Sequence, residues 1–151
     1  MTTQTTSYFT LETKSFLQRA LLGNAAFSGI SGLFMVLAAG PISQFLGLNN
    51  PLFLSIIGIV LLLYMPFLVW LANQSPVPNW MAWIVIELDV LWVVGSLILI
   101  FTSLVPLTTG GKWAVAITAD IVTVFAILQY LGLRRQQRIK LESKVNSLHQ
   151  S

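Results

Sequence analysis

The sequence predicts an all-α bundle of four transmembrane helices with short loops and both termini on the cytoplasmic side, and three observations predict it. First, 56% of the 151 residues are hydrophobic and only 9% are charged, against about 25% charged in a soluble domain. A water-facing shell cannot be built from so little charge, so hydrocarbon is the solvent that fits. Second, the apolar residues gather into four stretches of about 20, the length a helix needs to cross a hydrocarbon core roughly 30 Å thick. Third, seven of the eight Lys and Arg residues fall on one side of a four-span arrangement, which is the positive-inside pattern.

The spans follow from hydropathy and from the residues that punctuate it. The first is expected over 19–39, after an uncharged, threonine-rich segment Thr2–Thr10 that reads as disordered; residues 1–18 form an N-terminal tail. This start lacks the basic patch, short apolar run and cleavage site of a signal peptide, and no lipidation motif is present. Gly40-Pro41 is expected to stop the first span, and Ile42, Phe45, Leu46 and Leu48 suggest a half-buried turn after it. The second span, 52–72, opens with Asn50 as N-cap and Pro51 at the first helical position, and Pro66 is expected to kink it, as membrane helices tolerate. Ser75-Pro76-Val77-Pro78 separates it from the third span, 80–104, which Asn79 is placed to cap. Thr108-Thr109-Gly110-Gly111 is a turn before the fourth span, 113–133. The connections are about 7 to 12 residues long, so sequential helices are expected to be antiparallel neighbours. Trp70, Trp80, Trp83 and Trp113 fall at span ends, as an aromatic belt requires, whereas Trp92 falls mid-span.

Charge fixes the orientation. Lys14 and Arg19 flank the first span, Arg134, Arg135, Arg138, Lys140 and Lys144 follow the fourth, and Lys112 alone lies in a loop on the opposite side. The basic cluster reads as a topology signal and as a contact for anionic lipid headgroups rather than for nucleic acid. The tail 134–151 is expected to continue the fourth span as a helix, with Leu141, Val145 and Leu148 along one side.

Several chemistries are excluded. With no cysteine there is no disulfide, thiolate metal site or cysteine nucleophile. The single histidine, His149, lies in the polar tail, so no metal site and no cofactor are expected. There is no nucleophile elbow, Walker loop, HExxH or glycine-rich dinucleotide turn, and no catalytic residue is assigned.

Polar residues inside the spans carry the remaining information. An ionisable side chain there costs roughly 2.5–3.5 kcal/mol on insertion scales, and Glu87, Asp89 and Asp120 are retained against that cost with no Lys, Arg or His at comparable depth. Desolvation favours neutral, hydrogen-bonding acids. Two residues apart on a helix, Glu87 and Asp89 point about 200° from each other. Asp89 shares its face with Trp92, Ser96 and Ser103 and is assigned to the bundle interior; Glu87 lies beside the belt tryptophans, near the headgroups or at an oligomer contact. Asn24, Ser28, Ser31 and Met35 make a small, polar face on span one, and Ala25 with Gly29 and Ser28 with Gly32 add small-xxx-small spacing. On span four, Asp120 and Thr123 share a face from which Gln129 points away. Depth counting at about 1.5 Å per residue puts Asn24 and Gln129 shallow, Tyr64, Glu87 and Asp89 a third of the way across, and Asp120 near two thirds, close to Trp92. The expected interior track comprises Asn24, Ser28, Ser31, Tyr64, Asp89, Trp92, Ser96 and Asp120, with the Trp92 indole donating to Asp120. Its bland reading is interhelical glue, at about 0.6 kcal/mol per contact. An amide would glue as well as an acid at lower insertion cost, so Asp89 and Asp120 also admit a ligand cavity or a proton-responsive site.

The strings LLGNAAFSGISGLFMVLAAGPISQFLGL and LQYLGLRR, at 21–48 and 128–135, resemble those of small four-span bacterial membrane proteins, and the wider architecture is similar to DoxX-like four-helix membrane proteins. The resemblance implies a four-helix architecture in a bacterial plasma membrane and carries no functional residue over. The function expected from these readings is a small binding or accessory component, whose partners are membrane lipid and a second copy or another membrane protein. A carrier of protons or small solutes that uses the intramembrane acids is the alternative, and a lipid-modifying enzyme a remote one.

Overall fold

The computed structural model describes residues 14–102 and 104–148. The expectations for Thr2–Thr10, Ser103 and His149 therefore lie outside the described residues. Five helices follow in order: α1 (Phe16–Leu37), α2 (Ala39–Leu46), α3 (Pro51–Ala72), α4 (Asn79–Phe101) and α5 (Thr109–Leu148). Four of them, α1, α3, α4 and α5, are long and apolar enough to cross a membrane, with mean hydropathies of 1.7, 2.7, 2.4 and 1.9.

Local chemistry sets each boundary. α1 begins three residues before the expected start because Ser15 and Gln18 form a capping box: Ser15 Oγ accepts from the Gln18 N–H at 3.3 Å, and Gln18 Oε1 accepts from the Ser15 N–H at 2.7 Å. Gly40-Pro41 does not end in a turn. The chain breaks at Ala38 and restarts as α2, whose first turn accommodates Pro41, since the N–H that proline lacks has no intrahelical acceptor there. α2 buries Ser43 and Leu46 and closes on Gly47, held at φ 86°. An alanine there would be strained and its Cβ would stand 2.5 Å from the Pro106 carbonyl. Asn50 caps α3 as expected, its Oδ1 accepting from the Leu52 N–H at 2.9 Å ahead of Pro51, and α3 runs unbroken through Pro66. Pro78 takes the N-cap position of α4, so Asn79 is a helical residue; its side chain instead accepts from Gln136 Nε2 at 3.0 Å. Gly110 and Gly111 are not a turn but the first turn of α5, where Thr108 Oγ1 accepts from the Gly111 N–H at 2.9 Å and donates to the Phe45 carbonyl at 2.6 Å. A Cβ on Gly111 would meet the Leu46 carbonyl at 2.7 Å, so this glycine lets α2 lie against the start of α5.

α1 is the centre of the bundle, packed on α3 on one side and α5 on the other, while α4 packs on α5. α1 crosses α3 closely at Gly32 and Gly58, where a Cβ on either would stand 2.7 or 2.8 Å from the other's carbonyl. α3 and α4 are consecutive, yet they do not pack along their length; the expected antiparallel neighbours hold for α1 with α3 and for α4 with α5 only. The two meet near their connecting loop, in a core of Leu17, Leu21, Leu68, Leu71, Val77, Val85 and Leu133. This end, which also carries the basic tail, is fastened by Gln18 Nε2 to the Gln74 carbonyl at 2.9 Å and Gln136 Nε2 to the Val77 carbonyl at 2.8 Å. Farther away α3 and α4 part. The surfaces of the four long helices are lined with exposed apolar side chains, and Trp70, Trp80, Trp83 and Trp113 stand among them.

Candidate functional site

Three inward stripes converge about a third of the way along the bundle from its tail end. α1 buries Leu17, Leu21, Asn24, Ser28 and Gly32; α4 buries Ala82, Val85, Ile86, Asp89 and Ser96; α5 buries Ala119, Val122, Ala126, Gln129 and Leu133. Each follows the three- and four-residue spacing of one helix face. Where they meet, the Asp89 carboxylate is 4% exposed, Asn24 1% and Gln129 0%. Asn24 Nδ2 donates to Asp89 Oδ2 at 2.7 Å, and Gln129 Nε2 donates to the same oxygen at 3.1 Å. Ser28 Oγ in turn donates to Asn24 Oδ1 at 3.4 Å. One carboxylate oxygen thus ties α1, α4 and α5 together, while Oδ1 receives neither amide.

Asp89 also lines a cavity of about 630 Å³. The cavity fills the gap between α3 and α4 and runs from the Asn24–Asp89 level to Leu46, Leu48, Val105 and Leu107 near the far end of the bundle. Its walls are apolar apart from Asn24, Ser28, Ser31, Tyr64, Asp89, Trp92, Ser96 and Thr118. Two of these hydroxyls are spent on their own helices: Ser96 Oγ donates to the Trp92 carbonyl at 2.8 Å and Thr118 Oγ1 to the Ala114 carbonyl at 2.9 Å. The Tyr64 hydroxyl is buried beside Asp89 without reaching hydrogen-bond geometry, and the Trp92 indole N–H is buried without an acceptor among the described residues. Phe27, which packs on Phe125 with ring centroids 5.9 Å apart, and Phe53 bring the aromatic rings of the lining to four. Phe53, Val60, Leu88 and Leu91 both line the cavity and remain exposed on the outside of the bundle, Val60 at 58% and Leu91 at 67%. The gap therefore opens sideways, through the surface that would face lipid.

No family model, curated protein or solved structure matches this chain. The site must be read from its own geometry.

Seven of the eight residues of the expected interior track line this one cavity: Asn24, Ser28, Ser31, Tyr64, Asp89, Trp92 and Ser96. The eighth, Asp120, does not. It is exposed, one residue past Ala119 and so about 100° off the inward stripe of α5, and the expected Trp92–Asp120 contact is not made. The same helical phase brings in Gln129, which stands three residues after Ala126 and ten after Ala119. The residue placed on the opposite face from Asp120 is the one that faces the core. The sequence carried that signal in the small residues Ala119 and Ala126, whose seven-residue spacing marks the closely packed side of α5. Depth counting had also separated Asn24 and Gln129 from Asp89, whereas all three share a level. Glu87 is exposed on the outer face of α4, away from Asp89, as its two-residue offset requires. Arg134, Arg135, Arg138, Lys140 and Lys144 are exposed on the extension of α5; Arg134 Nε donates to the Tyr130 hydroxyl at 3.0 Å and its guanidinium lies 5.2 Å from that ring's centroid. Among the described residues no group of three or more His, Cys, Asp or Glu side chains is placed to hold a metal ion.

Proposed function

We propose that this protein binds a largely apolar, bilayer-dissolved small molecule, admitted sideways between α3 and α4 and anchored at its polar end by Asp89. The observation that carries the reading is the cavity of about 630 Å³ that opens on the outer surface and ends on a buried carboxylate, one of whose oxygens takes neither amide. Its size falls within the roughly 300–1,000 Å³ of small-molecule pockets, and an apolar lining with a few convergent polar groups is their usual construction. A carrier working through a pair of acids is less well supported, because Asp120 stands outside the cavity. In this reading the chain sits in a bacterial plasma membrane with both termini cytoplasmic, which the seven-to-one distribution of basic residues supports. The α5 extension meets anionic headgroups, and Glu87 lies at the headgroup level or against a second membrane protein.

Gly95 provides the test. It lines the cavity, and a Cβ built on it meets nothing within 4 Å. In lipid nanodiscs, a diazirine-bearing decane should label Ser31 and Asp89 saturably, because both side chains line the cavity that the gap opens into. Gly95→Phe should abolish that labelling while the thermal unfolding midpoint stays within a few degrees of the parent. Labelling confined to outward residues, or unaffected by Gly95→Phe, refutes the reading.

A further inference from the structure

The polar end of the cavity has a composition that narrows the ligand's chemistry. Asp89 is nine-tenths buried or more, lines the cavity, and has both amides on Oδ2, so that neither engages Oδ1. If the site only glued helices, asparagine would accept the same bonds from Asn24 and Gln129 at a lower insertion cost. What an aspartate can do there, and an asparagine cannot, is carry a charge. The two amide donors on Oδ2 are the kind of support that an anionic carboxylate needs in a dry site. Charged partners are missing from the other walls: the lining contributed by α1, α2, α3 and α5 contains no lysine, arginine or histidine, and its only other titratable group is Tyr64. Four aromatic side chains share the lining with that carboxylate. Three of them, Phe27, Tyr64 and Trp92, belong to the stretch of each helix that carries Asn24, Tyr64 and Asp89, whereas Phe53 lies toward the start of α3. Aromatic rings attract cations through their quadrupole and do so most strongly where water is excluded.

We infer that the cavity's ligand is an amphiphilic amine, its ammonium group paired with Asp89 Oδ1 among Phe27, Tyr64 and Trp92 and its apolar body lying between α3 and α4. This rests on the cavity-binding reading above. The Tyr64 hydroxyl, buried beside Asp89, has lone pairs to accept a second N–H bond. An alcohol would engage the same oxygen but would not need the charge, and a carboxylic acid would meet a like charge.

The experiment uses the full chain in phosphatidylcholine nanodiscs with three matched diazirine probes, decylamine, decanol and decane, each corrected for its partition into protein-free nanodiscs. Half-maximal labelling of Ser31 and Asp89 is expected at a concentration roughly tenfold or more lower for the amine than for the alcohol, as a charge-assisted contact predicts. Asp89→Asn should erase the amine's advantage and leave decane labelling of Ser31 in place. Equal labelling by amine and alcohol, or an amine preference that survives Asp89→Asn, overturns the inference while the cavity-binding reading stands. Failure of all three probes to label the lining overturns both. Should Asp89→Asn fail to fold, Trp92→Leu serves in its place: a severalfold loss confined to the amine supports the inference, and an unchanged preference overturns it.

Discussion

Asp89, Asn24 and Gln129 show how a single oxygen atom organises three helices. A carboxylate that deep is tolerated because two amide donors replace the water it has lost, and each donor comes from a different helix. Gln129→Leu removes one donor and leaves the carboxylate half supported, so it should destabilise the bundle by about 1–2 kcal/mol, at the upper end of measured membrane hydrogen bonds. Asp120→Leu should do the opposite. It removes an exposed carboxylate from an apolar helix surface without breaking a side-chain hydrogen bond among the described residues, and should ease insertion by about 2–3 kcal/mol. Equilibrium unfolding in mixed detergent micelles checks the first and a translocon insertion assay the second; a Gln129→Leu variant as stable as its parent would show that the phase of α5 is misassigned. That phase was the part of the site the sequence concealed. On α4 the hydroxyls and the mid-span tryptophan share the acid's face, so Asp89 could be turned inward by inspection. On α5 the acid itself drew the assignment, although the cost of a buried charge says only that it is retained for a reason, not that it faces the core. Packing decided, through Ala119 and Ala126.

At the scale of elements, the helices were legible because hydropathy and end signals agree, as at Asn50-Pro51, although before α4 it is Pro78 and not Asn79 that takes the cap position. The parts that were not legible depend on contacts between elements. α2 docks on α5 where Gly111 lets the Leu46 carbonyl approach, and no local pattern in 39–46 announces that partner. The α1–α3 crossing was half visible: Gly32 belongs to a small-xxx-small pair, but Gly58 gives no sign of its role until the two backbones are seen in contact. The glycines therefore separate into two kinds. Gly32→Leu or Gly58→Leu forces side-chain atoms into a space already closed by the facing carbonyl and should cost about 1–3 kcal/mol or more. Gly95→Ala enters open space in α4 and should be neutral or stabilising by up to about 1 kcal/mol, since alanine restricts the unfolded chain more than glycine does. Thermal unfolding of the three variants in one detergent orders them directly. A Gly95→Ala variant as damaged as Gly32→Leu would mean that α4 is packed where the structure leaves it free.

At the scale of the whole molecule, connectivity and packing disagree, and the disagreement makes the cavity. A short loop joins α3 to α4, but α3 is committed to α1 through Gly32 and Gly58, and α4 to α5 and to Asn24 through Asp89. Two pairs held together through α1 and α5 leave one seam unfilled. An even number of spans also fixes the ends: tags at the N- and C-termini should be equally protected from external protease, and both should lie on the cytoplasmic side if the basic residues set the orientation. Tags on opposite faces would rule out four crossings. The seam itself can be tested by closing it. Val60 lies twelve residues before the end of α3 and Leu91 twelve after the start of α4, so both stand about 18 Å from the loop, on opposite lips of the opening. The chain has no cysteine of its own, which makes Val60→Cys with Leu91→Cys a clean pair for a short bis-maleimide bridge. Bridging should slow probe labelling of Ser31 at least severalfold, and either single cysteine carrying the hydrolysed reagent should label at close to the parent rate. The bridge crosses the mouth without touching Asn24, Asp89 or Gln129, so a bridged protein that unfolds like its parent yet admits no probe has lost only its entrance. If the probe enters the bridged protein undiminished, ligands reach the carboxylate by a route other than the gap between α3 and α4.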